Sequence, residues 1–198
     1  MHTRTHAALA TATLTTTAIA GPFINGSFED ASIGVGSFTT LTNSTAIDGW
    51  VATNIDYIGT AWASSDGSRN IDLNSTGPGG VTQTFDTAAG TQYIVTFDLA
   101  GNPVSGPALK SVIVSAALDS AEYTFDITGR TTTDMGWTEE TFVFTAVSDS
   151  TELSVRSGTI GSFGPALDNV RVEVVPAPAA SAALAASALA IVRRRRRR

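Results

Sequence analysis

Residues 93–103 read YIVTFDLAGNP, and their alternation decides the fold class. Tyr93, Val95, Phe97 and Leu99 fall on one side of a two-residue period, while Ile94, Thr96 and Asp98 fall on the other. Gly101-Asn102-Pro103 then closes the run with turn residues. The same period continues outward in both directions. Val112, Val114 and Ala116 alternate with Ser111, Ile113 and Ser115; Tyr123, Phe125 and Ile127 alternate with Thr124 and Asp126. Phe142, Phe144 and Ala146, then Leu153 and Val155, then Val170, Val172 and Val174 repeat it. Each run has one apolar face and one mostly polar face, as strands buried on one side require. Turn chemistry separates them at Ser65-Asp66-Gly67, Gly77-Pro78-Gly79-Gly80, Ala89-Gly90 and Thr128-Gly129. No apolar stripe of helical period persists between the two ends of the chain. About nine or ten strands with regular turns predict a single all-β domain, an antiparallel sandwich.

The composition narrows the chemistry. The chain has 198 residues, 12 Lys plus Arg, 18 Asp plus Glu, two His and no Cys. The formal charge of −6 hides a split, because Arg193 to Arg198 and Arg4 lie at the ends. Between Gly21 and Val192 only Arg69, Lys110, Arg130, Arg156 and Arg171 face all 18 acids, a net of −13. A body this acidic repels phosphate backbones, so no nucleic-acid partner is expected. His2 and His6 both precede Gly21. A body without His or Cys has no Ser-His-Asp or Cys-His nucleophile, no His- or Cys-ligated zinc and no thiol redox chemistry. Carboxylate pairs and oxygen-ligated hard cations remain.

The two ends read as addresses. Residues 1–20 carry Arg4, a mildly apolar stretch from residue 7, and Ala18-Ile19-Ala20 before Gly21. This is the plan of a secretory signal peptide cut between Ala20 and Gly21. A disordered N-terminus is the plainer alternative. Residues 176–198 form a separate C-terminal segment. Val175-Pro176-Ala177-Pro178 breaks the last strand, Ala177 to Val192 is almost wholly apolar, and six arginines follow. As a helix the apolar run spans ~24 Å, short of the ~30 Å hydrocarbon core. The positive-inside rule places the arginines in the cytoplasm and the acidic body outside. This tail resembles bacterial sorting signals of the PEP-CTERM type, with Val-Pro-Ala-Pro standing where that family usually has Val-Pro-Glu-Pro. The resemblance implies transient membrane insertion, processing by an exosortase, and anchoring at the cell surface. A permanent short anchor and a basic nucleic-acid-binding tail are the other readings.

The body also carries an ordered series of short motifs: NGSFE (25–29), DGW (48–50), NIDYIG (54–59), Trp62, IDLN (71–74), GGVTQTF (79–85), YIVTFDLAGNP, MGW (135–137), FVFTA (142–146) and GPALDNVRV (164–172). The series resembles the bacterial choice-of-anchor C family of exported proteins, related to plant cell-wall proteins that carry domain of unknown function 642. It covers residues 23–175 in the family's order. The resemblance implies a galactose-binding-like jelly roll acting at a cell wall or surface, with polysaccharide or cell-wall glycan as the expected partner.

Three sites are expected from the residues. The first is a calcium site. Glu29 follows the first strand and Asp168 opens the last, and in a jelly roll these strands commonly lie side by side. Two close carboxylates repel unless a cation sits between them. A structural Ca²⁺ held by Glu29, Asp168 and Asp48, with Asp30 and Asn169 in support, is one reading. Solvated carboxylates, or carboxylates accepting backbone N–H bonds at strand ends, are the other. Asn70, Asp72 and Asn74 imitate the start of an EF-hand loop, but Ser75 and Val81 occupy the positions that need Gly and Glu. An ordinary strand with a polar face is the preferred reading there.

The second site is a sugar platform, in which aromatic rings cover the apolar face of a sugar while acids and amides meet its hydroxyls. Tyr57, Trp62, Asp66 and Asn102 are its residues, with Asp48 and Asp56 also nearby in sequence; Trp62 reads equally as a plug at the sandwich edge. Trp50 and Trp137, both in Gly-Trp pairs, read instead as plugs whose N–H is bonded to a carbonyl. The third is a glycosidase pair, which needs carboxyls roughly 5–9.5 Å apart, one with a raised pKa. Glu139-Glu140 does not qualify, because strand neighbours point to opposite faces. The preferred function is a non-enzymatic, exported, surface-anchored module that binds polysaccharide. A matrix or adhesion protein contacting other proteins comes second, and a carboxylate hydrolase third.

Overall fold

The computed structural model describes residues 21–176. Eleven strands run in chain order: β1 (Phe38–Leu41), β2 (Val51–Thr53), β3 (Ile55–Ile58), β4 (Asn70–Asp72), β5 (Gly80–Asp86), β6 (Gln92–Gly101), β7 (Leu109–Ala116), β8 (Asp119–Asp126), β9 (Thr138–Thr145), β10 (Ser150–Ser157) and β11 (Pro165–Val174). They form two antiparallel sheets, ordered β1-β3-β4-β11-β6-β9 and β2-β5-β10-β7-β8. The expected all-β jelly-roll sandwich is the architecture observed, and no helix occurs among the described residues.

The alternating runs are the long strands. Tyr93, Val95, Phe97 and Leu99 of β6 face Val112, Val114, Leu153 and Val155 of the other sheet, and all are buried. The four short strands β1 to β4 hold three or four residues each. A window that short carries no legible period, and here the structure adds what the alternation did not show.

The last strand departs from simple alternation. Leu167 and Val170 are both buried although three residues apart, and the register against β6 shifts between Asp168 and Arg171. Asn169 takes up the extra residue with φ of 50°. A bulge re-aims one side chain in this way. Beyond it the strand runs out of the core, so Val172 is only half-buried and Val174 is exposed.

The NGSFE segment is not the end of a strand, as the sequence suggested, but an irregular lace over one end of the sandwich. Val170 N–H donates to Gly26 O at 2.8 Å, Trp50 Nε1 donates to Asn25 O at 2.9 Å, and the Tyr57 hydroxyl donates to Phe28 O at 2.6 Å. Asn25 Nδ2 reaches Asp30 O and Asp48 O at 2.8 and 2.9 Å. Trp50 and Trp137 are plugs as expected, the latter donating from Nε1 to Ala63 O at 3.0 Å.

Candidate functional site

On the six-stranded sheet, the face turned away from the core carries Phe38, Thr40, Asp56, Ile58, Asn70 and Asp72. The register pairs Phe38 with Ile58 and Asp56 with both Thr40 and Asp72. Loops on either side rise over this face and leave a cleft of about 320 Å³. Phe38, Ile58, Ala61, Trp62, Val104 and Phe163 supply its apolar lining, and Asp56, Asp72, Ser75 and Asn102 its polar lining. Phe38 is 54% exposed and Trp62 only 8%. Phe38 is therefore the most exposed aromatic ring at this cleft, ahead of the half-buried Phe163. Asp56 is half-buried, and its Oδ1 accepts from Thr40 Oγ1 at 2.7 Å.

The walls are tied from below. Asp72 Oδ1 accepts the N–H groups of Asn74 and Gly164, each at 3.0 Å, and Oδ2 accepts Asn102 Nδ2 at 2.8 Å. Burial pushes the Asp72 carboxyl up to about 7, against the opposing pull of those three donors. Asn74 Nδ2 donates to Thr159 O and Gly161 O at 2.9 and 2.5 Å. Its Oδ1 has no hydrogen-bond partner among the described residues, but it lies against Gly164, where a Cβ would come within 2.3 Å of it. Only a Cα–H fits there, and a Cα–H···O contact partly compensates such an acceptor.

Lys110 completes the support. It is wholly buried, and its Nζ donates to Ser105 O at 2.8 Å and to Phe163 O at 2.7 Å. One ammonium thus joins the two loops that flank the cleft. Burial lowers its pKa, and the nearby Asp72 charge works against that.

A second cluster gathers around residues 63–69. Glu29 Oε1 accepts the N–H groups of Ser68 and Arg69, both at 2.6 Å, and Oε2 accepts Ser68 Oγ at 2.8 Å. Asp168 Oδ2 accepts the N–H groups of Ser65 and Asp66 at 2.9 and 3.0 Å, and Oδ1 that of Asn169 at 2.7 Å. Burial pushes the Asp168 carboxyl up to about 6. Glu29 and Asp168 do converge on one loop, yet the contacts they make there are to N–H and O–H donors. A cation would have to share oxygens already turned toward those donors. Among the described residues no group of three or more His, Cys, Asp or Glu side chains is arranged to hold a metal.

Residues 21–173 match the family described as "Protein of unknown function (DUF642)". The chain belongs to the DUF642 family. Among curated proteins, halomucin of Haloquadratum walsbyi is 32% identical over 157 residues. That alignment takes in 75% of this chain but only 2% of halomucin's length. Among solved structures, an arabinose-bound α-L-arabinofuranosidase aligns with a TM-score of 0.53 at 13% identity, over 78% of this chain and 26% of that one. A family 35 carbohydrate binding module from Clostridium thermocellum gives 0.49 at 14% identity, over 71% and 100%. TmCBM61, solved with β-1,4-galactotriose, gives 0.47 at 11%, over 65% and 90%. What this DUF642 chain shares with the aligned part of the arabinofuranosidase is the β-sandwich fold.

The structure redistributes the expected sugar residues of the DUF642 body. Trp62 and Asn102 do meet in the cleft, but both are buried, and Trp62 Nε1 is committed to Asn70 Oδ1 at 2.7 Å. Tyr57 is a core residue: it pairs with Ile71 on the inward face, so its ring offers no surface to a ligand. Asp66 lies on the 63–69 loop and contributes its backbone N–H to Asp168, not its carboxylate to the cleft. Asp48 does not join Glu29 and Asp168; it is exposed and bonds through its backbone to Asp30 and Asn25. The strand preferred for Asn70, Asp72 and Asn74 is β4 and the turn after it, but loops cover its polar face, so all three are buried. Phe38 lies on the face opposite Leu41, three residues away, but β1 is too short for that parity to be read from the sequence. Lys110 and Asp72 carried no readable mark either. On β9, Glu139 pairs with Arg171 at 2.5 Å, while Glu140 faces the side of Tyr123.

Proposed function

We propose that this DUF642 protein is a non-enzymatic module that binds a glycan in the cleft between Phe38 and Asn102. One observation carries the reading: the exposed Phe38 ring stands beside Asp56 and a buried polar floor, in a cleft of about 320 Å³. An apolar ring covers the C–H face of a sugar, and the half-buried Asp56 accepts from its hydroxyls. Catalysis is not proposed, because Asp72, the cleft carboxyl with the raised pKa, is buried and committed to three N–H donors.

Retention of the full chain on a panel of plant and bacterial polysaccharides tests the proposal. Phe38→Ala is expected to weaken retention about tenfold while leaving the melting temperature within a few degrees. No retention on any polysaccharide sinks the reading. Surface assembly unchanged by Phe38→Ala, with no glycan retained, favours the protein-contacting matrix role instead.

Export through residues 1–20 and anchoring through the C-terminal tail belong to the same proposal. Ala20, Ala177 and Pro178 lie outside the described residues. Of the described ends, Gly21 O accepts from Asp86 N–H at 2.7 Å, and Val175 N–H donates to Gln92 O at 2.9 Å before Pro176 ends pairing. Among the described residues no helix is long and apolar enough to cross a membrane. The choice-of-anchor C assignment and an exosortase as partner rest on the sequence motifs. Mass spectrometry of the surface fraction checks both ends: a mature chain beginning at Gly21 and lacking the arginines is the expected result, and an intact cytosolic chain overturns it.

A structural calcium ion is proposed in a limited form. Glu29 and Asp168 grip the 63–69 loop from two sides, and an ion bound there would strengthen that grip. Saturating calcium is then expected to raise the melting temperature by about 5 °C over the chelated protein. An unchanged melting temperature leaves the N–H donors as the whole latch.

A further inference from the structure

The opposite face of the molecule carries a second recess with different chemistry. β10 is the middle strand of the five-stranded sheet, flanked by β5 and β7. Ser150, Glu152, Ser154 and Arg156 alternate with the buried Thr151, Leu153 and Val155, so these four form its outward row. Two clefts open along this row. One of about 250 Å³ is lined by Ser115, Ser150, Glu152 and Ser154, and one of about 330 Å³ by Thr53, Gly80, Thr82 and Arg156. Ser154 and Arg156 are successive outward positions, so the two separate clefts lie end to end along one row, together the β10 trough. From Ser150 to Arg156 it runs roughly 20 Å, at about 3.3 Å per residue.

Glycine shapes the Arg156 end. The register places Gly80 between Thr53 and Arg156 in one row across β2, β5 and β10, with Ile113 next on β7. A Cβ on Gly80 would meet Arg156 Cγ at 2.7 Å. The missing side chain is therefore what lets the arginine stem lie down across the sheet. Thr82 and Ser154 sit opposite each other in the adjacent row, and Ser115 follows. The floor is thus a lattice of hydroxyls with one exposed guanidinium at one end.

Charge decides the occupant. The other cations of the body are committed: Lys110 to two carbonyls, Arg171 to Glu139, Arg69 to Ser68 O, and Arg130 over the Phe125 ring at 5.8 Å. Arg156 makes no ion pair and no hydrogen bond among the described residues, although acids outnumber bases by 13 between Gly21 and Val192. Glu122, the acid across β7 from Arg156, accepts instead from Ser111 Oγ. A planar guanidinium without a partner is a ready fork for a carboxylate. Glu152, at the other end of the row, disfavours a uniformly anionic chain.

We propose that the β10 trough is a second carbohydrate site, distinct from the Phe38 cleft, that takes a mostly neutral glycan bearing a uronic acid whose carboxylate pairs with Arg156. The hydroxyl rows meet the sugar hydroxyls, and Ile113 offers the apolar contact beside the guanidinium. The site does not depend on the Phe38 cleft, which lies on the other sheet.

The test uses the full chain and a panel of uronate-bearing oligosaccharides (glucuronoxylan, pectic, alginate and hyaluronan fragments), each paired with its carboxyl-reduced form. Binding is read by calorimetry in the wild type, Arg156→Gln, Arg156→Lys and Phe38→Ala. At least one acidic oligosaccharide is expected to bind roughly tenfold more tightly than its reduced form. Arg156→Gln should remove that difference, Arg156→Lys should restore part of it, and Phe38→Ala should leave it in place. Arg156 is exposed, so its variants keep the wild-type melting temperature. No binding to any panel member, equal binding of acidic and reduced forms, or a preference that survives Arg156→Gln overturns the proposal. Equally tight, Arg156-dependent binding of a poly-glutamate peptide overturns it too, because the trough would then read charge and not sugar. Loss of the preference in Phe38→Ala alone assigns the binding to the other cleft.

Discussion

Replacing Gly26 by alanine is expected to leave little folded protein. A Cβ at Gly26 would sit 1.7 Å from Val170 O and 2.8 Å from Val170 C. Both are backbone atoms, so no rotamer change relieves the clash. The contact cannot open cheaply either, because Val170 N–H donates to Gly26 O at 2.8 Å in the same pairing. Separating these chains would disturb Asn25 O and Phe28 O, which accept from Trp50 and Tyr57, two of the largest buried side chains. A forced shift here combines overpacking with unpaired buried donors, and the cost is on the order of 3–5 kcal/mol. Urea denaturation of the variant checks this. Gly34→Ala and Gly36→Ala are the controls, since a Cβ at either meets nothing within 4 Å, and they are expected to be near neutral. A Gly26→Ala protein as stable as those controls would show that the lace across residues 25–29 does not hold that end of the sandwich together.

Acidification is expected to stabilise the protein. Burial raises the Asp72 carboxyl to about 7 and the Asp168 carboxyl to about 6, against an ordinary Asp value near 3.9 in the unfolded chain. Between about pH 4 and pH 7 the folded state therefore holds protons that the unfolded state has released. Stability contributed this way is complete below the unfolded value and is lost as the pH rises through 6 and 7. The body's net negative charge acts in the same direction, since lowering the pH relieves its self-repulsion. From pH 8 to pH 5 the gain is on the order of 2–4 kcal/mol, read as a higher urea midpoint. A midpoint that falls over this interval refutes the burial cost assigned to both groups. Asp72→Asn separates the contributions. It cannot ionise, so the slope near pH 7 should flatten. The protein is weaker overall because the new amide donor faces Asn102 Nδ2. Adding Asn102→Asp exchanges donor and acceptor and should recover part of the loss.

These expectations place the two proposed sites on different structural footings. The Phe38 cleft stands on a buried polar frame of Asp72, Asn74 and Lys110, so changes to its floor alter stability before affinity. The β10 trough stands on an apolar core, and its outward side chains can be exchanged with little effect on folding. Rim substitutions are therefore the informative ones for binding: Phe38 on one face and Arg156 on the other.

The sequence by itself determined the sheet-forming body, the strands from residue 92 onward, the absence of histidine and thiol chemistry between Gly21 and Val192, and the roles of Trp50 and Trp137 as plugs. Each rests on a local property: a two-residue period, a composition, or a ring that must find a carbonyl. Tertiary structure alone decided the rest. Tyr57 and Trp62 turned inward and Phe38 outward, although their neighbours in sequence are equally rich in turns and polar groups. Asp72 and Lys110 became the frame of a cleft because residues from the 102–107 and 159–164 loops close over them. Glu29 and Asp168 met at one loop, with N–H groups between their carboxylates. Strand parity settles which side of a sheet a residue takes, but whether that side meets water depends on which distant loops fold across it, and that is a property of the assembled chain.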